Sequence, residues 1–228
     1  MIKKTTIGFC LTLAVLTACS AKDETDTSKN LDADTSYAFG VLMGSDLKPF
    51  GFKFDYKAFT EGFKGYFDEN AKITEDEAIA IVQQTINASM QRDADVNLEE
   101  ANLFLEENAK KNGIITTESG LQYEIITKGG GNTPKADDIV RVNYSGTLIG
   151  GETFDSSYDR GEPMEFPLNQ VISGWTEGIQ LMSVGGHYKF YIPPKLGYGD
   201  QPVGNGLIPA NSVLIFDVEL LDILEGED

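Results

Sequence analysis

The sequence predicts an α+β protein in two parts, an all-helical N-terminal half followed by a half built from antiparallel strands. Three observations carry this. From Thr35 to Gly113 apolar residues recur at intervals of three and four; beyond Gly113 the period falls to two; and glycine- and proline-rich turns separate the later segments. With 228 residues, 41% of them hydrophobic, the chain holds enough apolar material to build real cores, which excludes a disordered protein.

Residues 1–18, within MIKKTTIGFCLTLAVLTAC, read as a signal peptide: Lys3 and Lys4 form a basic start, an apolar run follows, and small residues precede Cys19. The run is too short to span a bilayer as a mature helix. Leu16-Thr17-Ala18-Cys19 resembles the lipobox of bacterial lipoproteins, which implies a lipid on the Cys19 sulfur; an ordinary secretory signal is the alternative. Cleavage would remove Cys10 and leave Cys19 alone, so no intramolecular disulfide, zinc cluster or thiol catalyst can be built. Residues 19–34 are polar and acidic and read as a flexible tether. The formal charge is −18, and losing Lys3 and Lys4 leaves 16 basic against 36 acidic residues, a net of −20. Such a surface repels phosphate backbones and anionic headgroups, so nucleic acid is excluded as a partner and membrane contact is left to the lipid.

Residues 35–112 read as three helices. The first holds Tyr37, Val41, Leu42 and Leu47 and stops before Pro49. Gly40 and Gly44, four apart on it, predict a tight helix crossing. The second starts at Asp55 as N-cap and repeats Phe59, Phe63 and Tyr66 or Phe67 on one side. Thr74 and Glu77 form a capping box for the third, whose apolar positions from Ile79 to Leu105 predict one helix of about 35 residues, about 50 Å long at 1.5 Å per residue. That stripe suggests a partner, most simply a second copy of the chain, or packing back onto the two short helices. The aromatic cluster Phe50, Phe52, Phe54, Tyr56 and Phe59 fits a core or dimer contact, or a surface that grips substrate.

Residues 113–228 read as strands. Val140, Val142 and Tyr144 alternate with Arg141 and Asn143, and Leu214, Phe216, Val218 and Leu220 alternate with Ile215, Asp217 and Glu219. The single histidine, His187, has no metal-ligating partner and reads as a partly exposed strand residue, so neither a metal site nor a serine–histidine triad is expected. Gly129-Gly130-Gly131 lacks the lysine of a phosphate loop and reads as a turn, and no cofactor is expected.

The motifs VNYSGTLIGGETFDSS, FPLNQVISGWTEGIQLMSVGG, YIPPKLGYGD and LIPANSVLIFDVELLDI, in order and without large gaps between Gly120 and Leu224, resemble those of the FKBP-type peptidyl-prolyl isomerases. SYAFGVLMG and the junction FLEENAKKNGIITTESGLQYEII are similar to the dimerisation domain of the macrophage infectivity potentiator type of bacterial FKBP. The resemblance implies a small antiparallel sheet wrapped around one short helix, with a shallow apolar pocket between them, and a homodimer through residues 35–112. It implies catalytic roles for Asp155, Tyr198, Tyr144 and Phe154, and a substrate-binding set of Phe166, Val171, Ile172, Trp175, Ile208 and Phe216, with Trp175 as the floor. Arg160 matches the basic residue that neighbours the acid in family members; Asp155 then acts as an electrostatic and orienting group, or only braces a loop by pairing with Arg160.

The expected function is acceleration of X-Pro bond rotation in exported, proline-containing polypeptides, with rapamycin-like macrolides as inhibitors. A holdase chaperone or surface interaction protein using the helical arms is the alternative. The expected address is a bacterial cell envelope, with the outer membrane favoured because Ser20 is not a retention aspartate. The chain departs from the family at Ser173, where proline is common, and in the slightly longer loop DQPVGNGLIP, which lacks the family's histidine.

Overall fold

The computed structural model describes residues 31–224; the expected signal peptide, Cys19 and most of the tether lie outside the described residues. No helix among the described residues is long and apolar enough to cross a membrane. The chain divides into two compact units, the first reaching Lys72 and the second beginning at Ile73.

The first unit holds α1 (Ala33–Leu47), a single 3-10 turn (Lys48–Phe50) and α2 (Tyr56–Phe67). Helix α1 starts two residues earlier than the periodicity suggests, within the stretch read as tether, because the Asp32 carboxylate accepts the Thr35 N–H at 2.7 Å and caps the end. Asp55 caps α2 as expected, accepting from the N–H groups of Lys57 and Ala58. Among its described residues only Gly65 is buried, and Tyr37, Val41, Phe59, Phe63 and Phe67 are all exposed. Among the described residues nothing beyond its own helix and chain neighbours comes within 4 Å of a Cβ added at Gly40 or Gly44, so the expected close crossing is not made among them.

The second unit opens with α3 (Glu75–Ala109), 35 residues capped by a reciprocal Thr74–Glu77 box. Its N-terminal half leaves Ile79, Val82 and Met90 exposed, whereas Ala94, Ala101 and Asn108, spaced by seven, are buried. Seven strands follow: β1 (Ile114–Thr116), β2 (Gln122–Thr127), β3 (Ile139–Thr147), β4 (Thr153–Ser156), β5 (Met164–Pro167), β6 (His187–Ile192) and β7 (Leu214–Leu224). All pair antiparallel in the order β1-β2-β6-β7-β3-β4, with β5 also on β3. The period of two reads directly as burial: Val140, Val142 and Tyr144 on β3 and Leu214, Phe216, Val218 and Leu220 on β7 face the core.

Against that face packs α5 (Ser173–Ile179), while the one-turn α4 (Ser157–Arg160) follows β4. The approach of α5 to β6 is close enough to require glycine: a Cβ at Gly178 would stand 2.7 Å from the fully buried Phe190 ring. Ile179, Met182, Phe190 and Leu121 are sealed from water, and each such side chain stabilises the fold by roughly 1.5–3 kcal/mol relative to exposure. This core fixes the sheet and α5, and so fixes the cleft between them.

Candidate active site

Tyr144 sits on the inner face of β3, and its N–H is held by Ser157 Oγ at 2.8 Å. Strand β4 supplies Phe154 and Asp155. The single turn of α4 then reverses the chain so that Arg160 returns to Asp155, and Gly161, at φ 81°, ends the turn in a conformation that favours glycine. Strand β5 adds Phe166, the segment before α5 adds Val171 and Ile172, α5 adds Trp175, and β7 adds Phe216.

These residues enclose a cleft of about 740 Å³ open to solvent. All ten residues singled out from the sequence line it: Tyr144, Phe154, Asp155, Phe166, Val171, Ile172, Trp175, Tyr198, Ile208 and Phe216. Trp175, 6% exposed, lies at its centre, with ring centroids 4.9 Å from Tyr144, 4.9 Å from Phe216 and 5.2 Å from Phe166. The contacts to Tyr144 and Phe216 are edge-to-face, the arrangement that aromatic quadrupoles favour. Met164, Gln170, Val203, Gly204 and Leu207 also line the cleft and were not picked out from sequence. Met164 had a readable signal, since it alternates with Phe166 along β5; the other wall residues lie in turns where no period applies.

One polar cluster interrupts the apolar lining. The Tyr144 hydroxyl donates to one Asp155 carboxylate oxygen and Arg160 donates to the other, while a second Arg160 nitrogen donates to the Tyr144 hydroxyl at 2.7 Å. Burial by itself would raise the Asp155 carboxyl, but the hydrogen bonds from Tyr144 and Arg160 outweigh it and hold the group below the usual carboxylate range. Burial and the bond to Asp155 push the Tyr144 hydroxyl up to about 12. At neutral pH the cluster is therefore a carboxylate, a guanidinium and a neutral phenol, and none of the three is poised to exchange a proton.

Two donors belong to residues that line the cleft. The Ile172 carbonyl accepts from the N–H groups of Trp175 and Thr176, but its own N–H donates to no backbone carbonyl among the described residues. The Tyr198 hydroxyl, on a residue 42% exposed, makes no hydrogen bond among them either. No cluster among the described residues could hold a metal ion.

Comparison with known proteins places this arrangement. The family model described as FKBP-type peptidyl-prolyl cis-trans isomerase matches residues 130–221, and that for the domain amino-terminal to it matches residues 32–125. The chain is 46% identical over 210 residues to the FKBP-type peptidyl-prolyl cis-trans isomerase FkpA of Aeromonas hydrophila, covering 86% of this chain and 78% of that protein. It is 37% identical to the peptidyl-prolyl cis-trans isomerase Mip of Coxiella burnetii over 82% of this chain and 85% of that protein. The crystal structure of FkpA from Escherichia coli superposes with a TM-score of 0.71 at 39% identity, covering 86% of this chain and 97% of that one. With both domains matched and relatives aligned over most of their length, the chain belongs to the FKBP-type peptidyl-prolyl cis-trans isomerases, enzymes that act on proline-containing polypeptides.

Proposed function

We propose that the cleft around Trp175 is where X-Pro bonds turn, with Phe166, Val171, Ile172, Trp175, Ile208 and Phe216 holding the proline ring and Asp155, Tyr198, Tyr144 and Phe154 acting on the amide. The observation that carries this is the convergence of all ten residues on one apolar cleft with an ionised carboxylate at its edge.

Rotation about a peptide bond meets a barrier of ~18–20 kcal/mol because the amide surrenders its resonance as it twists. No covalent bond breaks, so the absence of any proton-transfer group in the cluster is no obstacle. A twisted amide separates less charge than a planar one, so moving it from water into an aromatic cleft costs less for the transition state than for the ground state. That difference lowers the barrier. The Ile172 N–H and the Tyr198 hydroxyl offer hydrogen bonds that anchor carbonyls flanking the ring while the carbonyl before proline rotates. Asp155 presents a fixed negative charge beside the rotating group, and Tyr144 and Arg160 keep it ionised and oriented.

The same reading extends to the rest of the chain. Residues 1–18 act as a signal peptide, Cys19 carries a lipid, residues 19–32 tether the protein to a bacterial envelope membrane, favouring the outer one, the helical residues 33–112 form the dimerisation region and residues 113–228 the isomerase domain. The exposed apolar faces of α1 and α2, with one buried residue in that unit, support a homodimer, because a single chain supplies them no core. Exported chains are the substrates, rapamycin-like macrolides occupy the same cleft, and holdase activity on the helical faces accompanies isomerisation.

The test follows cis/trans exchange of a Phe-Pro peptide by NMR with soluble protein beginning after Cys19. Trp175→Ala and Asp155→Ala should each cut catalysis by more than about tenfold in folded protein, consistent with loss of transition-state contacts, and rapamycin should abolish it. Undiminished exchange in both variants would move the site elsewhere.

A further inference from the structure

The segment Gly199–Asn211 brings Val203, Gly204, Leu207 and Ile208 to the cleft and follows directly on Tyr198. Its own bonding is sparse. Val203 and Ile208 exchange one pair of bonds at 2.9 and 3.1 Å, the Leu207 N–H reaches Gly204 at 3.2 Å, and the base closes through the Asn211 N–H to the Gly199 carbonyl at 2.8 Å.

At that base two side-chain amides cross between the loop and α3. Asn211 Nδ2 donates to the Ala94 carbonyl at 2.9 Å, and Asn97 Nδ2 donates to the Ala210 carbonyl at 2.9 Å. The pattern is reciprocal: helix positions three apart, which share a face, meet adjacent loop residues. Ala94 and Ala210 are 7% and 8% exposed, and both bonds are partly buried, so losing either leaves a carbonyl with little access to water. Alanine at both positions lets the two backbones approach.

We infer that α3 is a positioning element of the active site, with Asn97 and Asn211 clamping the base of the 199–211 loop to the helix. The route to the cleft is short: helix carbonyl to Asn211 side chain, Asn211 N–H to Gly199 carbonyl, and Gly199 adjoining Tyr198. Asn97 and Asn211 are therefore positioning residues, and the working catalytic unit includes the C-terminal part of α3 instead of starting at Gly113. The inference rests on the reading of the cleft as the isomerase site. A separate latch keeps the helix docked when the clamp is cut: Asn108 Nδ2 bonds Gln122 at 2.9 Å, and Gln122 Nε2 bonds the Leu105 carbonyl at 2.8 Å.

Asn211→Gly and Asn97→Asp, made singly and together in the soluble chain starting after Cys19, test this. Glycine adopts the left-handed φ of 58° at position 211 without strain, so the side-chain amide is removed with the backbone path kept; aspartate at 97 keeps the shape, loses the donor and turns an acceptor toward the Ala210 carbonyl. The loss of one hydrogen bond predicts a KM for the Phe-Pro peptide raised about two- to twelvefold, with kcat less affected. The double variant should lie well short of the product of the singles, because both bonds hold one loop base. Deuterium exchange over residues 199–211 should quicken while β6 and β7 stay protected. Folded variants with unchanged KM, or with unchanged loop exchange, overturn the clamp. If parallel Trp175→Ala and Asp155→Ala variants both isomerise normally, the assignment of the site falls instead, and loop exchange alone still decides whether α3 holds the loop.

Discussion

Replacing Gly146 by alanine tests how tightly the aromatic wall of the cleft is packed. Gly146 lies on β3 opposite Asp155 on one side and Phe216 on the other. An added Cβ would stand 2.7 Å from Phe154 Cζ and 2.7 Å from Phe216 Cε1, where ordinary contact begins at 3.4 Å, so it crowds each ring by about 0.7 Å. Phe216 is 4% exposed and boxed in by Trp175 and Tyr144; Phe154 is only partly buried and gives way first, into the cleft it lines. Overpacking of this kind costs about 1–3 kcal/mol. Alanine recovers roughly 0.5–1 kcal/mol over glycine within a strand. The net is a loss of up to about 2.5 kcal/mol, which corresponds to a Tm lower by up to about 10 °C for a domain of this size. A displaced Phe154 should also lower kcat/KM by about tenfold, given how steeply catalysis falls with sub-ångström misplacement. Calorimetry and the Phe-Pro exchange assay read both quantities. An unchanged Tm with unchanged kcat/KM would mean that the rings have room to spare and that the wall is not set by packing at Gly146.

The polar cluster gives a pH signature. Because the folded Asp155 carboxyl sits below its usual value, its contribution is present above the unfolded pKa and is lost only as pH falls through the folded one, so isomerase activity should be flat from about pH 5 to 8 and decline under about pH 4. Tyr144 has the opposite sign: raised to about 12, it favours the fold below its unfolded value and should make the protein lose stability between about pH 10 and 12, as a base titration by circular dichroism would show. Tyr144→Phe keeps the ring and deletes the hydroxyl, so the Asp155 carboxyl should titrate at higher pH by NMR; no change would mean that Arg160 holds it unaided. Asn108→Ala strips the partner from the 4%-exposed Gln122 and should destabilise the second unit by about 1–3 kcal/mol in urea. If the proposed homodimer forms through these helices, Phe63→Asp on the exposed face of α2 should lower the mass seen in analytical ultracentrifugation to that of a monomer while leaving short-peptide isomerisation intact.

The helices and the sheet were legible for different reasons. Asp55 and the Thr74–Glu77 box mark helix starts because they satisfy orphan N–H groups locally, and local chemistry is what a sequence displays. The inward faces of β3 and β7 follow from strict alternation. The ten cleft residues came from matched motifs, since four separated segments meet there and nothing in their spacing places them together. What escaped was contact through polar groups and small side chains. The docking face of α3 is written as Ala94, Asn97, Ala101 and Asn108; the apolar stripe includes the two alanines but also Ile79, Val82 and Met90, which are exposed, and passes over the two asparagines that make the bonds. Val203 and Leu207 hide for a similar reason: they reach the cleft from a loop whose path is set by its two clamped ends.

Strand β3 pairs along one edge with β7 over its whole length, and along the other first with β5 and then with β4. A single inserted residue inside it would invert the faces of everything beyond, sending Tyr144 outward and breaking register with three neighbours at once. Changes of length are thereby confined to places where chain leaves the frame, such as the turn at 148–152 and the loop at 199–211. The first joins strands that bear the carboxylate, and the second borders the opening through which a polypeptide must enter. An isomerase built this way can acquire new clientele by lengthening its rim while the rotating bond meets the same floor.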